Sequence, residues 1–271
     1  MSRVDLRGKP IVITGASSGI GRATALACAR AGMPVALNAR GAGKLAQVAT
    51  DVRALGVGAV EVAGNAADES VRSELLEAAA GLGPVYAVFA NAGYGHEVPT
   101  LEMDDADIRA MFEVNFFASL ALVRAAAPTM VERREGHLLM CSSCLSKIGL
   151  PKYAAYCATK AAQDHFCRAM RHELASSHVL VSSVHPIGTK TDFFDRMSER
   201  SGGLTLMDRS KESFMQSPDV VAETIVRRLG TGRGGEIWTS MGMRIMLGLS
   251  VAIPSATDRV LRRLVASRSE L

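Results

Sequence analysis

The sequence lacks an export signal. Its first residues, Met-Ser-Arg-Val-Asp-Leu-Arg-Gly-Lys-Pro, lead straight into a predicted strand and contain no apolar core of a signal peptide. The most apolar late stretch, residues 245–253, is far shorter than the roughly 20 residues that a membrane-spanning helix needs. We therefore expect a cytoplasmic protein without a transmembrane segment, although this stretch could contact a membrane surface or a partner.

The chain also has little net charge of either sign. Its 31 Lys and Arg residues against 27 Asp and Glu residues give a formal net charge of +4, and the basic residues are scattered. Proteins that bind nucleic acid typically present a basic stripe or a polybasic arm. We therefore expect no nucleic-acid partner.

Cysteine is scarce and offers no disulfide framework. The chain has five cysteines, which are Cys28, Cys141, Cys144, Cys157 and Cys167. An odd number in a long chain favours a reducing compartment. Cys141 and Cys144 have the C-x-x-C spacing of redox and zinc sites, but no second ligand pair with matching spacing follows. We expect no metal site and interpret the cysteines as small buried apolar residues.

Short apolar runs alternate with longer stretches of helical period. The runs at 11–13, 35–37, 85–90, 138–140 and 179–184 predict buried parallel strands, and a short strand is expected around 236–238. The stretches 20–31, 44–55, 69–80, 105–132, 152–176 and 218–229 predict helices. Right-handed crossovers between such elements give an α/β fold, a Rossmann-type doubly wound parallel sheet in a single domain.

The main domain is predicted to span residues 1–240, and residues 241–271 form a C-terminal tail. Within the main domain, segment 187–217 breaks the alternation. It is polar but contains Phe193, Phe194, Leu204 and Phe214, which is typical of a substrate-binding loop. The tail is first apolar and then basic and amphipathic, with apolar pairs at 260–261 and 264–265 between arginines.

A glycine-rich segment, Thr14-Gly15-Ala16-Ser17-Ser18-Gly19-Ile20-Gly21, joins the first strand to the first helix. Glycines at this junction permit a tight turn and a close approach of the backbone to a pyrophosphate. The N–H groups and the dipole at the start of the helix favour its negative charge. The segment predicts a dinucleotide site, with these contacts: Gly15, Ser17, Ser18, Gly19, Ile20 and Gly21.

The same segment also matches the G-x-S-x-G pattern around the nucleophile of serine hydrolases. Ser17 would be the nucleophile, with Asp164 and His185 as nominal partners. That serine belongs in the middle of a hydrolase sheet, whereas Ser17 follows the first strand. A hydrolase is therefore disfavoured, and His185 is more simply a packed or hydrogen-bonded residue.

The end of the second strand, Asn38-Ala39-Arg40, indicates which dinucleotide binds. It lacks the acidic residue that would bind the free ribose 2′-hydroxyl of NAD. Arg40 can bind the 2′-phosphate of NADP through paired charge-assisted hydrogen bonds, although a solvated surface arginine is the alternative. We therefore favour NADP(H) as the cofactor over NAD(H).

Tyr156 and Lys160 are four residues apart in a predicted helix and so share one face. A free tyrosine has a pKa near roughly 10, and an adjacent positive charge lowers it toward working pH. Such a pair suits proton transfer, although alone it is common on solvated helix surfaces. Tyr153 is the competing phenol, but the residue four positions on is Cys157.

These motifs occur together in a familiar order. The glycine-rich segment, Asn91-Ala92-Gly93, Asn115, Ser143 and the Tyr156/Lys160 pair have the order and spacing of classical short-chain dehydrogenases/reductases. The chain resembles this family over about residues 9–192. Ser143 stands thirteen residues before Tyr156, as the family pattern requires, and Ser142 is the displaced alternative.

The resemblance implies a catalytic set. Ser143 would hydrogen-bond the substrate oxygen, Tyr156 would exchange the proton, Lys160 would tune Tyr156 and hold the nicotinamide ribose, and Asn115 would complete a water-mediated proton relay. Asn91, Ala92 and Gly93 would contact the cofactor, as would Tyr156 and Lys160. The resemblance also implies a homodimer or homotetramer built through the long central helices.

The sequence departs from the family pattern at two places. After the sixth strand, where the family commonly has Pro-Gly, this chain has Pro186-Ile187-Gly188-Thr189-Lys190-Thr191. Pro186 with Thr189 or Thr191 would still contact the nicotinamide. Where many relatives carry an aspartate beside the adenine, this chain has Asn65, which could hydrogen-bond an adenine amine.

The sequence thus predicts an oxidoreductase that transfers a hydride between NADP(H) and a small-molecule carbonyl or secondary alcohol. Hydride transfer to a carbonyl puts negative charge on its oxygen, which Ser143 and Tyr156 are placed to stabilise. Apolar residues in segment 187–217 and in the tail favour a lipophilic substrate. A non-catalytic NADP-sensing module is the alternative, but it would need no proton donor.

Overall fold

A computed structural model of the chain is built on one parallel sheet of seven strands. It describes residues 3–201 and 215–266, with side-chain surroundings up to residue 263. The strands lie in the order β3-β2-β1-β4-β5-β6-β7. They are β1 (Ile11–Thr14), β2 (Val35–Ala39), β3 (Ala59–Ala63), β4 (Ala87–Ala90), β5 (Gly136–Cys141), β6 (Val179–His185) and β7 (Gly235–Trp238).

Helices connect the strands and cover both faces of the sheet. They are α1 (Gly19–Arg30), α2 (Ala42–Arg53), α3 (Glu69–Ala80), α4 (Asp105–Phe112), α5 (Ala118–Arg133), α6 (Ala154–Glu173), α7 (Asp192–Arg200), α8 (Pro218–Thr231), α9 (Met241–Ala252) and α10 (Pro254–Ala266). A π-helical segment, Glu113–Phe117, joins α4 to α5, and 3₁₀ turns lie at Cys144–Lys147 and Ala175–Ser177.

The hydrophobic core lies in two layers, one on each face of the sheet. Helices α1, α2 and α8 pack on one face, where Met33, Leu45 and Ile225 are fully buried. Helices α3, α5 and α6 pack on the other, around Leu75, Leu122 and Met130. Because both faces are covered, β1, β2, β4 and β5 are buried along their whole length, which explains their nearly continuous apolar sequences.

The predicted α/β fold with a doubly wound parallel sheet is confirmed. The sequence analysis missed the edge strand β3, whose residues alternate weakly between buried and exposed. It also began the helix of Tyr156 too early. Lys152 has a φ of 66°, a left-handed conformation that a right-handed helix excludes, and α6 starts at Ala154.

The continuous helix Asp105–Arg133 is the one element in the described ranges that is long and apolar enough to cross a membrane. Its face that carries Leu122, Val123, Ala126 and Met130 is buried in the core. A core helix meets the same criteria of length and composition, so packing against the sheet accounts for its apolar character.

Two predicted segments are only partly described. Segment 187–217 contains the unpredicted helix α7, but Leu204 and Phe214 lie outside the described residues. The tail forms α9 and α10, whereas the surroundings of the side chains at 264–265 and the placement of 267–271 lie outside the description. The domain boundary at residue 240 stays a prediction.

Candidate active site

A cavity of about 560 Å³ lies at the carboxyl ends of the strands. Ligands of open α/β sheets bind at this edge, where the strand order reverses between β1 and β4. The structure brings most of the predicted site residues into its lining. They are Gly15, Ser17, Ser18, Gly19, Ile20, Arg40, Asn65, Asn91, Ala92, Gly93, Ser143, Tyr156, Lys160, Pro186, Thr189 and Thr191. Gly21 and Asn115 lie behind the wall of the cavity.

The glycine-rich turn brings backbone close to the cavity. Gly15 and Gly19 have φ angles of 65° and 54°, in the left-handed region that favours glycine. A Cβ on Gly21 would lie 2.2 Å from the Gly15 carbonyl oxygen, so only glycine fits there. Ser18 stands at the N-cap of α1 without a capping side-chain hydrogen bond, which leaves the first turn of N–H groups available to an anion.

Asn91 attaches the end of β4 to the end of β1. Its side-chain amide donates to the Thr14 carbonyl at 3.0 Å, and the Thr14 hydroxyl accepts from the backbone N–H groups of Asn91 and Ala92 at 3.0 and 3.1 Å. These bonds hold the turn after β4 beside the glycine-rich turn. Asn91 therefore fixes the backbone that lines this part of the cavity.

Two cations line the end of the cavity that follows β2. Arg40 and Lys44 are exposed and make no hydrogen bond or ion pair to another residue of the described ranges. The sequence analysis singled out Arg40 but missed Lys44, although its position shortly after Arg40 in the first turn of α2 was a usable signal. Asn65 lies nearby, and its side-chain oxygen accepts from the Ala67 N–H at 3.2 Å.

Ser143, Tyr156 and Lys160 meet on another wall of the cavity. Ser143 caps the 3₁₀ turn at Cys144–Lys147, where its hydroxyl accepts from the Leu145 N–H at 3.1 Å. The Lys160 ammonium lies 5.6 Å from the centre of the Tyr156 ring and donates to the Cys141 carbonyl at 2.7 Å. Helix α6 thus places the phenol and the ammonium on one face, as the spacing predicts.

The competing serine and tyrosine have other partners. The Ser142 hydroxyl donates to the Lys160 carbonyl at 2.8 Å, which ties β5 to α6. The Tyr153 hydroxyl is buried and donates to Glu97 at 2.7 Å. Burial, and then the Glu97 carboxylate, raise the pKa of Tyr153 well above its usual value. Ser142 and Tyr153 therefore donate their hydroxyl hydrogens to other groups of the protein.

Burial shifts the pKa values of both Tyr156 and Lys160. It raises the pKa of Tyr156 well above the ordinary value, an effect that the nearby Cys141 increases and hydrogen bonding with Ser143 opposes. Burial also lowers the pKa of Lys160. The pKa of Tyr156 is thus raised, whereas the sequence analysis expected Lys160 to lower it, and the phenol stays neutral in this structure.

Asn115 reaches Lys160 through another side chain. Its amide is fully buried in the π-helical segment, where it binds the Tyr94 N–H and carbonyl, both at 2.9 Å. The backbone carbonyl of Asn115 accepts from the side-chain amide of Gln163 at 2.6 Å. Gln163 Oε1 in turn accepts from Lys160 Nζ at 3.0 Å. The sequence analysis missed Gln163, whose signal is a polar residue on the buried face of α6.

Apolar side chains enclose the phenol. The Phe193 ring lies 5.6 Å from the Tyr156 ring, and Phe194 and Met197 extend the same cluster along α7. Thr191 caps α7, accepting from the Phe193 N–H at 3.3 Å. Its methyl group packs where a side chain on Gly19 would stand, because a Cβ there would lie 3.0 Å from Thr191 Cγ2.

The nominal hydrolase partners lie together but far from Ser17. Asp164 and His185 are 3.2 Å apart, and Lys147 binds both Asp164 and Glu236. Burial would raise the pKa of Asp164, but hydrogen bonds from His185 and Lys147 lower it below the usual range. His185 ends β6, three strands from the β1 end that precedes Ser17, a separation of about 14 Å. His185 therefore cannot activate Ser17.

Known sequences match this chain over most of its length. The sequence model of the short chain dehydrogenase family matches residues 9–202. A dehydrogenase/reductase SDR family protein 7-like protein of Drosophila melanogaster is 33% identical over 232 residues, 83% of this chain and 71% of that protein. A 3-dehydrosphinganine reductase of Danio rerio is 30% identical over 230 residues, 82% of this chain and 68% of that protein.

Solved structures show the same architecture. A short chain dehydrogenase/reductase from Burkholderia phymatum in complex with NAD aligns with a TM-score of 0.84 and 25% identity, over 94% of this chain and 96% of that one. A structure from Beutenbergia cavernae with NADP bound at low occupancy aligns with a TM-score of 0.76 and 27% identity, over 89% and 98%. With its fold, its site and these similarities, the chain belongs to the short-chain dehydrogenase family of oxidoreductases.

Proposed function

We propose that this protein is an NADP(H)-dependent oxidoreductase that interconverts a carbonyl compound and a secondary alcohol. The observation that carries the proposal is the meeting of Ser143, Tyr156 and Lys160 in one cavity with the glycine-rich turn. A hydroxyl, a neutral phenol and a buried cation together suit proton exchange with a substrate oxygen.

The site fits a nicotinamide dinucleotide. The N–H groups at the start of α1 suit a pyrophosphate, and the close backbone approach at Gly15, Gly19 and Gly21 leaves room for it. Arg40 and Lys44 suit the added charge of a 2′-phosphate and favour NADP(H) over NAD(H). The family includes proteins solved with NAD and with NADP, which is compatible with either dinucleotide.

The bound cofactor would supply or accept the hydride, and the chain's own residues handle the proton. In the reductive direction, Ser143 Oγ and the Tyr156 hydroxyl donate hydrogen bonds to the carbonyl oxygen and stabilise its developing negative charge. Tyr156 then gives its proton to that oxygen. Lys160 stabilises the resulting phenolate, and Gln163 and the Cys141 carbonyl hold the ammonium in position.

The apolar wall supports a lipophilic substrate. Phe193, Phe194 and Met197 face Tyr156, and Leu145 and Leu150 join the same cluster. Burial of an alkyl chain against such side chains contributes about 25 cal/mol per Å². The similarity to a 3-dehydrosphinganine reductase is in keeping with this class of substrate.

The enzyme is further proposed to act in the cytoplasm as a homo-oligomer. All five cysteines are free thiols, as a reducing compartment would keep them. Phe117 and Phe166 are exposed next to each other around Phe116, on the long helices that the family resemblance assigns to subunit contacts. Exposed aromatic clusters of this kind are typical of protein interfaces.

A fluorescence titration with NADPH and NADH tests the cofactor. We expect tighter binding of NADPH, and a loss of roughly tenfold or more of that preference in Arg40→Ala and Lys44→Ala. Arg30→Ala, at the far end of α1, is the matched control. Equal affinity for the two nucleotides would refute the NADP(H) preference, and absence of binding would refute the oxidoreductase.

Replacement of Tyr156 separates an enzyme from a non-catalytic sensor. In Tyr156→Phe, turnover of carbonyl substrates should fall by about 100-fold or more while NADPH affinity largely persists. Tyr153→Phe is the matched control, because its hydroxyl is bonded to Glu97. Full turnover in Tyr156→Phe would refute the proposal that Tyr156 is the proton donor.

A further inference from the structure

The C-terminal helices α9 and α10 form an apolar and basic surface that the proposed reaction does not use. On α9 and just after it, an apolar side chain recurs every four residues, and each is more than half exposed. They are Met241, Ile245, Leu249 and Ile253. A spacing of four places them along one helix face, and Met246 adds to it. We call this face and the arginines of α10 the tail surface.

The apolar face points away from the body of the protein. Leu247 is 4% exposed, the one buried residue of α9, and it lies on the opposite side of the helix. Arg244 lies 4.0 Å from Glu236 of β7, and Ser240 caps α9 by accepting from the Met243 N–H at 3.2 Å. Helix α9 is therefore anchored by one side, and its apolar side has no cover within the described residues.

Basic side chains follow this face in the sequence. Residues 241–266 contain four arginines, at positions 244, 259, 262 and 263, against the single acidic residue Asp258. That is a surplus of three in a chain whose formal net charge is +4, and three of the four arginines lie on α10, while Arg244 lies on the anchored side of α9 near Glu236. Arg259, Arg262 and Arg263 are all exposed on α10.

We propose that the tail surface docks this protein on an anionic lipid membrane. Its apolar side chains would enter the boundary between headgroups and acyl chains, and its arginines would bind the negative headgroups. Helix α9 has 12 residues, too few to span a bilayer, so it lies in the plane of the surface. A second copy of the chain is a poorer occupant, because a two-fold contact would bring the same arginines together.

The position of α9 gives docking a use. Helix α9 packs on the 3₁₀ turn Cys144–Lys147, whose residues Cys144 and Leu145 line the cavity beside Ser143. Docking through α9 would hold this part of the cavity near the lipid phase. A lipophilic substrate dissolved in the membrane would then have a short path to Tyr156.

Vesicle flotation of the full chain tests the proposal. We expect the protein to float with vesicles of equal parts phosphatidylglycerol and phosphatidylcholine, and to stay in solution with phosphatidylcholine alone. Both the apolar variant Ile245→Ser/Leu249→Ser and the charge variant Arg259→Gln/Arg262→Gln/Arg263→Gln should bind anionic vesicles about tenfold more weakly or worse. High salt should weaken binding of the wild type.

Controls separate docking from misfolding and self-association. Leu101→Ser and Arg109→Gln change exposed residues of the same types outside the tail and should float like the wild type. NADPH binding and the thermal midpoint should match the wild type in every tail variant. Flotation that is absent, equal on both vesicles or unchanged in the tail variants would overturn the proposal. A tail-dependent dimer without flotation would identify a second copy as the occupant instead.

Discussion

Gln163 Oε1 accepts a hydrogen bond from Lys160 Nζ at 3.0 Å inside the protein. Both side chains are buried, and the amide of Gln163 is fixed on its other side by the Asn115 carbonyl. A neutral acceptor of this kind stabilises the ammonium without adding a charge next to the phenol. In the proposed reaction, Gln163 would therefore be a positioning residue that acts through Lys160.

Variants at position 163 should move the pH profile in opposite directions. Gln163→Leu removes an acceptor that stabilises the ammonium by about 1.5–3 kcal/mol, so the pKa of Lys160 falls further. The alkaline limb of the activity profile should therefore move to a lower pH by about one to two units. Gln163→Glu places a carboxylate beside the ammonium, which raises that pKa and shifts the alkaline limb upward. The measurement is kcat against pH for both variants. A lower stability with an unmoved limb would show a merely structural role.

The two reaction directions should respond differently to pH. In the proposed reaction, reduction needs the neutral phenol of Tyr156, whereas alcohol oxidation needs its phenolate. Burial raises the pKa of this phenol, so the neutral form dominates around neutral pH. We expect kcat/KM for oxidation to rise up to about tenfold per pH unit through this range, while that for reduction stays nearly constant. Oxidation that slows as the pH rises would contradict this assignment.

His137 should make the fold sensitive to acid. Burial, with a smaller effect of Arg228, lowers its pKa from 6.5 to about 3. Between these pH values His137 is protonated in the unfolded chain but neutral in the folded chain. The free energy of unfolding therefore falls as the pH drops from about 6.5 toward about 3, by up to about 1.4 kcal/mol per pH unit.

Urea unfolding at several pH values measures this effect. His137→Gln cannot titrate, so its free energy of unfolding should fall less steeply with acid than that of the wild type. His165→Gln, at an exposed position of α6, is the control and should keep the wild-type slope. Equal slopes in His137→Gln and the wild type would mean that another group governs the acid response.

The exposed aromatic pair should govern subunit contact. Phe117 and Phe166 are 51% and 44% exposed, and both rings pack on Phe116. A charge placed in a buried interface costs several kcal/mol, so Phe166→Glu should reduce the mass measured by light scattering to that of a smaller species. Leu101→Glu, at a fully exposed position, should leave the mass unchanged. A monomeric wild type would refute the proposed homo-oligomer, and an oligomeric Phe166→Glu protein of wild-type mass would place the interface elsewhere.

Local patterns in the sequence predicted much of the fold and the site. The i, i+4 relation of Tyr156 and Lys160 lies within one helix, and the glycine-rich turn lies between one strand and the next helix. The first follows from the helical period, and the second from the glycines that stand between a strand and a helix. Helix α7 was missed because polar residues interrupt its apolar positions 193, 194 and 197.

Contacts between segments far apart in the chain could not be predicted from the sequence. Gln163 and Asn115 meet because two helices cross, and neither residue type indicates that contact by itself. The π-helical segment that carries Asn115 interrupts a helix whose periodicity looks continuous. The salt bridges from Lys147 to Asp164 and Glu236 likewise join three separate elements.

The methyl group of Thr191 lies against Gly19, close to the position that a side chain on Gly19 would occupy. This approach brings the loop before α7 together with the glycine-rich turn. It places Thr191, the N-cap of α7, directly against the turn that suits a pyrophosphate. A dinucleotide lying along that turn would form the floor of the substrate chamber. A substrate that arrived first would find this floor missing, so we expect the nucleotide to bind first and leave last if the proposed dinucleotide site is correct.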